Sequence, residues 1–106
     1  MTKPVVPRTR AARDATEAIN YYFREAGDRV ALEFIAALEQ AYRHLAAHPA
    51  SGSPRYGHEL DLPGLRYQPL TRFPYLVFYV EQHDHVDVWR ILHGQRDIPV
   101  LLREAE

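Results

Sequence analysis

The stretch Leu65–His93 reads LRYQPLTRFPYLVFYVEQHDHVDVWRILH, and its reading decides the fold. Three runs within it, Leu65 to Pro69, Tyr75 to Glu81 and Val86 to His93, are dense in aromatic and β-branched residues. Those side chains suit a pleated, half-buried surface, so each run is predicted to be a strand. Gln82-His83-Asp84-His85 is polar and forms a hairpin turn between the last two. Thr71, Arg72, Phe73 and Pro74 make the turn between the first two. On the last strand, alternation puts Val86, Val88, Arg90 and Leu92 on one face and Asp87, Trp89, Ile91 and His93 on the other. Both faces then carry large apolar groups, whereas a sheet covered on one side shows clean apolar and polar alternation. Something must cover the second face: a partner chain, or the chain's own loop Ala50 to Gly64.

Upstream the period changes. Ala11 to Ala26 holds no Gly or Pro, and Ala15, Ile19, Tyr22 and Ala26 recur at helical steps, with Arg13, Asp14, Glu17 and Arg24 off that face. Gly27 supplies a stop and Asp28 a cap for the next helix. That helix runs from about Arg29 to Ala47, with Val30, Phe34, Leu38, Tyr42 and Leu45 as its stripe, until Pro49 ends it. The two read as a helical hairpin. Pro4 to Arg8 carries two prolines and is at best an edge strand, with Thr9 placed to cap the first helix. Ala50 to Gly64, punctuated by Gly, Pro and Ser, reads as a loop. Asp97 caps a short C-terminal helix, with Pro99 in its first turn. Segregated helices and antiparallel strands make an α+β fold: a helical hairpin on a small, mainly antiparallel sheet of about four strands.

Composition narrows the function. The 106 residues are one domain's length, so 1–106 is read as a single domain. Lys and Arg number 13 against 14 Asp and Glu, a net charge of -1. That balance argues against affinity through a general field on nucleic acid. With no cysteine, a disulfide scaffold, a thiolate zinc site and a thiol nucleophile are excluded. The N-terminal residues do not resemble a secretory signal, and no apolar run approaches the roughly 20 residues of a membrane span. A soluble, cytoplasmic protein is expected.

Candidate chemistry is sparse. His44 and His48 stand at i, i+4, but no Glu follows His44, so the zinc-protease pattern fails at its general base. They read as helix-end residues, and His83 and His85 as turn residues; no metal is expected. Ser51 and Ser53 lie in the loop without a nucleophile-elbow pattern. The distinctive segment is Val86 to Pro99: a strand ending in His93, then Gly94, then Arg96 at a strand-to-helix corner. There Arg96 can fork onto a carboxylate or phosphate, or pair with Asp97 or another nearby acid.

Three patches carry a resemblance: Val6-Pro7-Arg8; Leu65-Arg66-Tyr67 followed by Phe73-Pro74-Tyr75-Leu76-Val77-Phe78-Tyr79; and Val88 through Ile98. The chain resembles the ParE toxins of the RelE/ParE superfamily, from bacterial type II toxin–antitoxin modules. The resemblance implies either inhibition of DNA gyrase, as in ParE-like members, or mRNA cleavage on the ribosome, as in RelE-like members. The RNases need basic sheet residues and a C-terminal tyrosine for proton transfer and charge stabilisation. Here Arg96 occupies one such arginine position, Leu76 stands where a strand arginine is expected, and Leu102 falls near the tyrosine position. Gyrase inhibition by binding, without catalysis, is therefore the preferred expectation; the endonuclease and a non-toxic antitoxin-binding module are the alternatives. The resemblance also implies a ParD-like antitoxin whose C-terminal segment wraps the toxin in a hetero-oligomer, with DNA reached only through the antitoxin. No cofactor is implied. Aromatic and Arg residues are the usual interface anchors, so Phe73, Tyr75, Trp89, Arg90, His93 and Arg96 are the candidate target- or antitoxin-binding residues, Phe73, Tyr75, Trp89 and Arg90 being equally readable as core.

Overall fold

The structure is a computed structural model that describes residues 2–105. Its elements, in chain order, are β1 (Val5–Pro7), α1 (Thr9–Glu25), α2 (Asp28–Ala47), α3 (Arg55–Glu59), β2 (Leu65–Pro69), β3 (Tyr75–Glu81), β4 (Val86–His93) and α4 (Ile98–Ala105). The three strands of the quoted stretch fall where their composition places them. They pair antiparallel, β2 with β3 and β3 with β4, while β1 runs parallel to β4. The order β1-β4-β3-β2 makes β1 an edge strand, as its prolines require. The architecture is α+β, with the α1–α2 hairpin on one sheet face.

Both helices are capped one residue earlier than expected, at Arg8 and Gly27. The Arg8 N–H donates to Val88 O at 2.9 Å and the Arg8 carbonyl accepts from Ala12 N at 3.0 Å. Arg8 therefore ends the strand ladder and begins the helix, and Thr9 lies inside α1 instead of capping it. Likewise Gly27, at φ 91°, accepts from Ala31 N at 3.1 Å and is the N-cap of α2, so Asp28 is the first helical residue. That positive φ is open to glycine at little cost.

One core lies between the helices and the sheet. Phe34, Leu38 and Leu45 from α2 and Ala11 and Ala18 from α1 pack against Val77, Tyr79, Val86, Val88 and Ile91. Each fully buried large apolar side chain contributes about 1.5–3 kcal/mol. The expected α1 face is rotated: Ala15, Ile19 and Tyr22 are only partly buried, Ala26 is exposed, and Asp14 is 6% exposed. Ala11, Asp14 and Ala18, spaced by three and four, form the innermost line.

The second sheet face is closed by the chain itself. The segment expected to be an irregular loop contains α3, and Tyr56, Leu60 and Leu62 from this region lie over that face together with Ile98, Leu101 and Leu102 of α4. Beneath them are Leu65, Phe78 and Leu92. A partner chain is not needed to cover this face: loop and terminal helix share the work. Tyr79 pins the start of the loop, donating from its hydroxyl to Pro49 O at 2.7 Å and accepting from Gly52 N at 2.9 Å.

The face assignment along β4 needs a correction. Tyr79 faces Val88, but Phe78 faces Arg90, so Trp89 is an extra residue in a β-bulge. Beyond it the alternation changes phase. Ile91 joins Val86 and Val88 in the helix-side core, and Leu92 packs on the opposite face with Phe78. The strict partition of Val86, Val88, Arg90 and Leu92 against Asp87, Trp89, Ile91 and His93 therefore fails at Trp89.

Candidate functional site: an aromatic corner with an exposed arginine

Four of the six candidate residues meet at one corner of the sheet. Tyr75 opens β3 and His93 closes β4, directly paired, with ring centroids 5.2 Å apart and planes at 75°. Phe73 and Tyr75 both pack on Phe34 with centroids 5.3 Å apart, and Phe73 lies 5.3 Å from Tyr22. Edge-to-face contacts of this kind add about 0.5–1.5 kcal/mol each beyond burial. The α1–α2 hairpin thus supplies the floor of the corner, and Tyr21, 48% exposed and edge-on to Tyr22, extends it toward solvent.

The β2–β3 turn delivers Phe73 through a strained residue. Arg72 has φ 72°, the left-handed region that costs a non-glycine residue about 1–2 kcal/mol. Its guanidinium lies 3.7 Å from the Glu33 carboxylate of α2, and Phe73 packs beside it. On the other side, the Gly94 N–H donates to Pro74 O at 2.8 Å, tying the β4–α4 turn to the β2–β3 turn. Arg96 follows, exposed, its N–H donating to His93 O at 3.0 Å.

The electrostatics define what the corner can do. Burial holds the Tyr75 hydroxyl above its ordinary value, reinforced by Tyr21 and opposed by the Arg96 charge. Tyr22 is raised mainly by burial as well. Gln95 N–H donates to His93 Nδ1 at 3.1 Å, so the neutral imidazole carries its proton on Nε2. Aromatic faces, N–H and O–H donors and one guanidinium are the groups presented. Such a set can stack on an aromatic or planar group and fork onto a carboxylate or phosphate.

The other two candidates lie elsewhere. Arg90 is 3% exposed; its Nε and Nη2 donate to Asp14 Oδ2 and Oδ1 at 2.7 and 3.0 Å. This hydrogen bonding holds the guanidinium pKa above its ordinary value. Arg90 is thus part of the interior. Trp89 is half-buried on the opposite face, its Nε1 donating to Asp87 Oδ2 at 3.2 Å, with the Arg8 guanidinium 4.6 Å over its ring. Arg8 also forks onto Asp87 at 3.0 and 2.9 Å and donates to Ala105 O at 2.9 Å, fastening the end of α4.

Asp14 and Tyr21 are the residues that sequence reasoning missed. Asp14 falls off the apolar face that the helical period predicts, yet it lies three residues after Ala11 and four before Ala18, on the line that faces inward. Tyr21 gives no such signal. The histidines of α2 stack loosely, with centroids 5.3 Å apart, and His44 Nε2 lies 3.0 Å from Ser51 Oγ. Among the described residues, no three His, Cys, Asp or Glu side chains are grouped to hold a metal ion, and no helix is long and apolar enough to cross a membrane.

Comparison with known proteins bears on the family and the fold. Residues 5–98 match the family model described as the ParE toxin of the type II toxin–antitoxin system parDE. The fold is similar to a chain of the solved structure "Chromosomal ParDE TA system from P. aeruginosa", with a TM-score of 0.73 and 20% identity over 89% of this chain and 98% of that one. The sequence matches no curated protein.

Proposed function

This chain belongs to the ParE toxin family of type II toxin–antitoxin systems, and on that premise we propose that it arrests growth by binding DNA gyrase, without chemistry of its own, and is neutralised by a ParD-like antitoxin. The observation that carries this reading is what stands at the positions where the RNase members carry their chemistry. A ribonuclease needs a base for the 2′-hydroxyl and an acid for the leaving group, each tuned near the working pH. Leu102, near the position of the RNase tyrosine, lies on the buried face of α4, and Leu76 stands where the resemblance implies a strand arginine. Neither leucine can transfer a proton or neutralise a phosphate, whereas recognition has aromatic surface and Arg96.

The candidate binding surface is therefore Phe73, Tyr75, His93 and Arg96, with Tyr21 at its rim. The antitoxin is not required to complete the fold, because α3 and α4 already close the second face. Its role in this reading is competition for the toxin's surface.

The test is supercoiling by purified gyrase with added toxin, beside growth after induction without antitoxin. Loss of supercoiling and growth arrest are expected, both relieved by the antitoxin. Normal supercoiling at saturating toxin, with cleavage on translating ribosomes that disappears in Arg96→Ala, would replace this reading with the endonuclease.

A further inference from the structure

Asp14 reaches the sheet at the one place where β4 breaks its alternation. Its Oδ2 accepts from Arg90 Nε at 2.7 Å and from the Ile91 backbone N–H at 3.0 Å, while Oδ1 accepts from Arg90 Nη2 at 3.0 Å. The Arg10 Nε lies 3.7 Å from Oδ1 on the exposed side. One carboxylate thus grips two successive residues immediately after the extra residue, Trp89. We infer that Asp14 is a positioning residue for the aromatic corner: by accepting from Ile91 N–H it holds the bulge, and the bulge aims His93 at Tyr75.

The reason is the period of the strand. Val86 and Val88 face the helices. In an unbroken strand the residues following them on that face are Arg90 and Leu92, and His93 falls on the opposite face. The extra residue shifts the phase by one. Ile91 then lies in the helix-side core, and His93 pairs with Tyr75 and stacks on it. Arg96 is carried along, because its N–H is bonded to His93 O. Bulges re-aim side chains in this way. A regular ladder gives no reason for a buried carboxylate here; a shifted one does, since the bulge loosens the ladder locally and Ile91 N–H finds its acceptor on Asp14. The functional consequence rests on the corner being the target-binding surface; the geometric consequence does not.

Two double variants separate the acceptor from the charge. D14L/R90M removes the ion pair and leaves no acceptor for Ile91 N–H. D14N/R90M removes the same charges and keeps an amide oxygen. NMR reports the position of His93 through its ring-proton shifts and its cross-peaks to Tyr75, and thermal unfolding reports the fold. In D14N/R90M the cross-peaks are expected to persist. In D14L/R90M they are expected to vanish, with supercoiling inhibition weakened about tenfold or more, the loss that attends a displaced interface anchor. Retention of the cross-peaks in a folded D14L/R90M protein, or equal loss in both folded variants, overturns the proposal. Deletion of Trp89 in the D14L/R90M background is an independent arm, since a strand without the extra residue keeps Ile91 and His93 on the helix side with no bulge to hold: return of the His93–Tyr75 contact is expected, and its absence in the folded protein overturns the proposal. If the wild type leaves gyrase untouched, the target reading fails, while the cross-peaks still judge the positioning.

Discussion

Asp14 and Arg90, 76 positions apart in the chain, meet through charge-assisted hydrogen bonds of 2.7 and 3.0 Å. Their side chains are only 5% and 4% exposed. Removing one partner of such a pair strands the other charge in the interior, which costs about 3–5 kcal/mol. Asp14→Ala is therefore expected to lower the unfolding free energy by that amount in urea titration. A loss below about 1 kcal/mol, the range of exposed ion pairs, would show the pair to be hydrated.

Gly52 and Tyr79 form a second contact with little tolerance. A Cβ at Gly52 would overlap the Tyr79 hydroxyl and come within 2.8 Å of Tyr67 O. Gly52→Ala is expected to destabilise by more than about 2 kcal/mol, as crowding of a packed site against backbone does. Tyr79→Phe removes the partner of both Gly52 N and Pro49 O and is expected to cost about 1–3 kcal/mol. Denaturant midpoints at constant slope check both.

Tyrosine burial predicts an alkaline limit. Burial pushes the Tyr42 hydroxyl from 10.0 up to about 12, and burial also raises Tyr22, Tyr75 and Tyr79. Above the unfolded value, the unfolded chain has lost the proton that the folded chain retains. Stability is thus complete below about pH 10 and falls as pH rises toward 12. Tyr42→Phe should flatten that fall, measured as unfolding free energy against pH; an unchanged slope would contradict the assignment to Tyr42.

Arg96 and Arg8 should separate binding from fold maintenance. Arg96 is exposed, so Arg96→Ala is expected to move stability by no more than about 0.5 kcal/mol. On the proposed surface it weakens supercoiling inhibition by about tenfold or more. Equal inhibition by the variant and the parent would remove Arg96 from the surface.

Arg8→Ala loses the Asp87 fork, the Trp89 stacking and the hydrogen bond to Ala105 O. Faster amide hydrogen exchange confined to α4 is the expected readout, since the end of that helix is fastened there. Unchanged protection in α4 would show that Ile98 and Leu102 alone hold it.

Much of the fold was legible in local pattern. The aromatic and β-branched runs placed β2, β3 and β4, and Pro4 and Pro7 confined the first strand to an edge. Gly27 and Pro49 bounded the second helix. Of the site, Phe73, Tyr75, His93 and Arg96 were named from their composition and their resemblance to a known pattern. Their convergence at one corner was not readable, nor was the retreat of Arg90 into the interior or of Trp89 to the other face.

The sequence by itself determined the elements, because helical and strand periods are properties of neighbouring residues. Tertiary structure alone decided the phase of β4. A one-residue bulge is invisible to a period of two, and the group that holds it, Asp14, lies 77 positions from the N–H it accepts. The cover of the second face was settled the same way. Neither the loop nor the short C-terminal helix is large enough to predict as a lid alone, but together they bury Phe78 and Leu92.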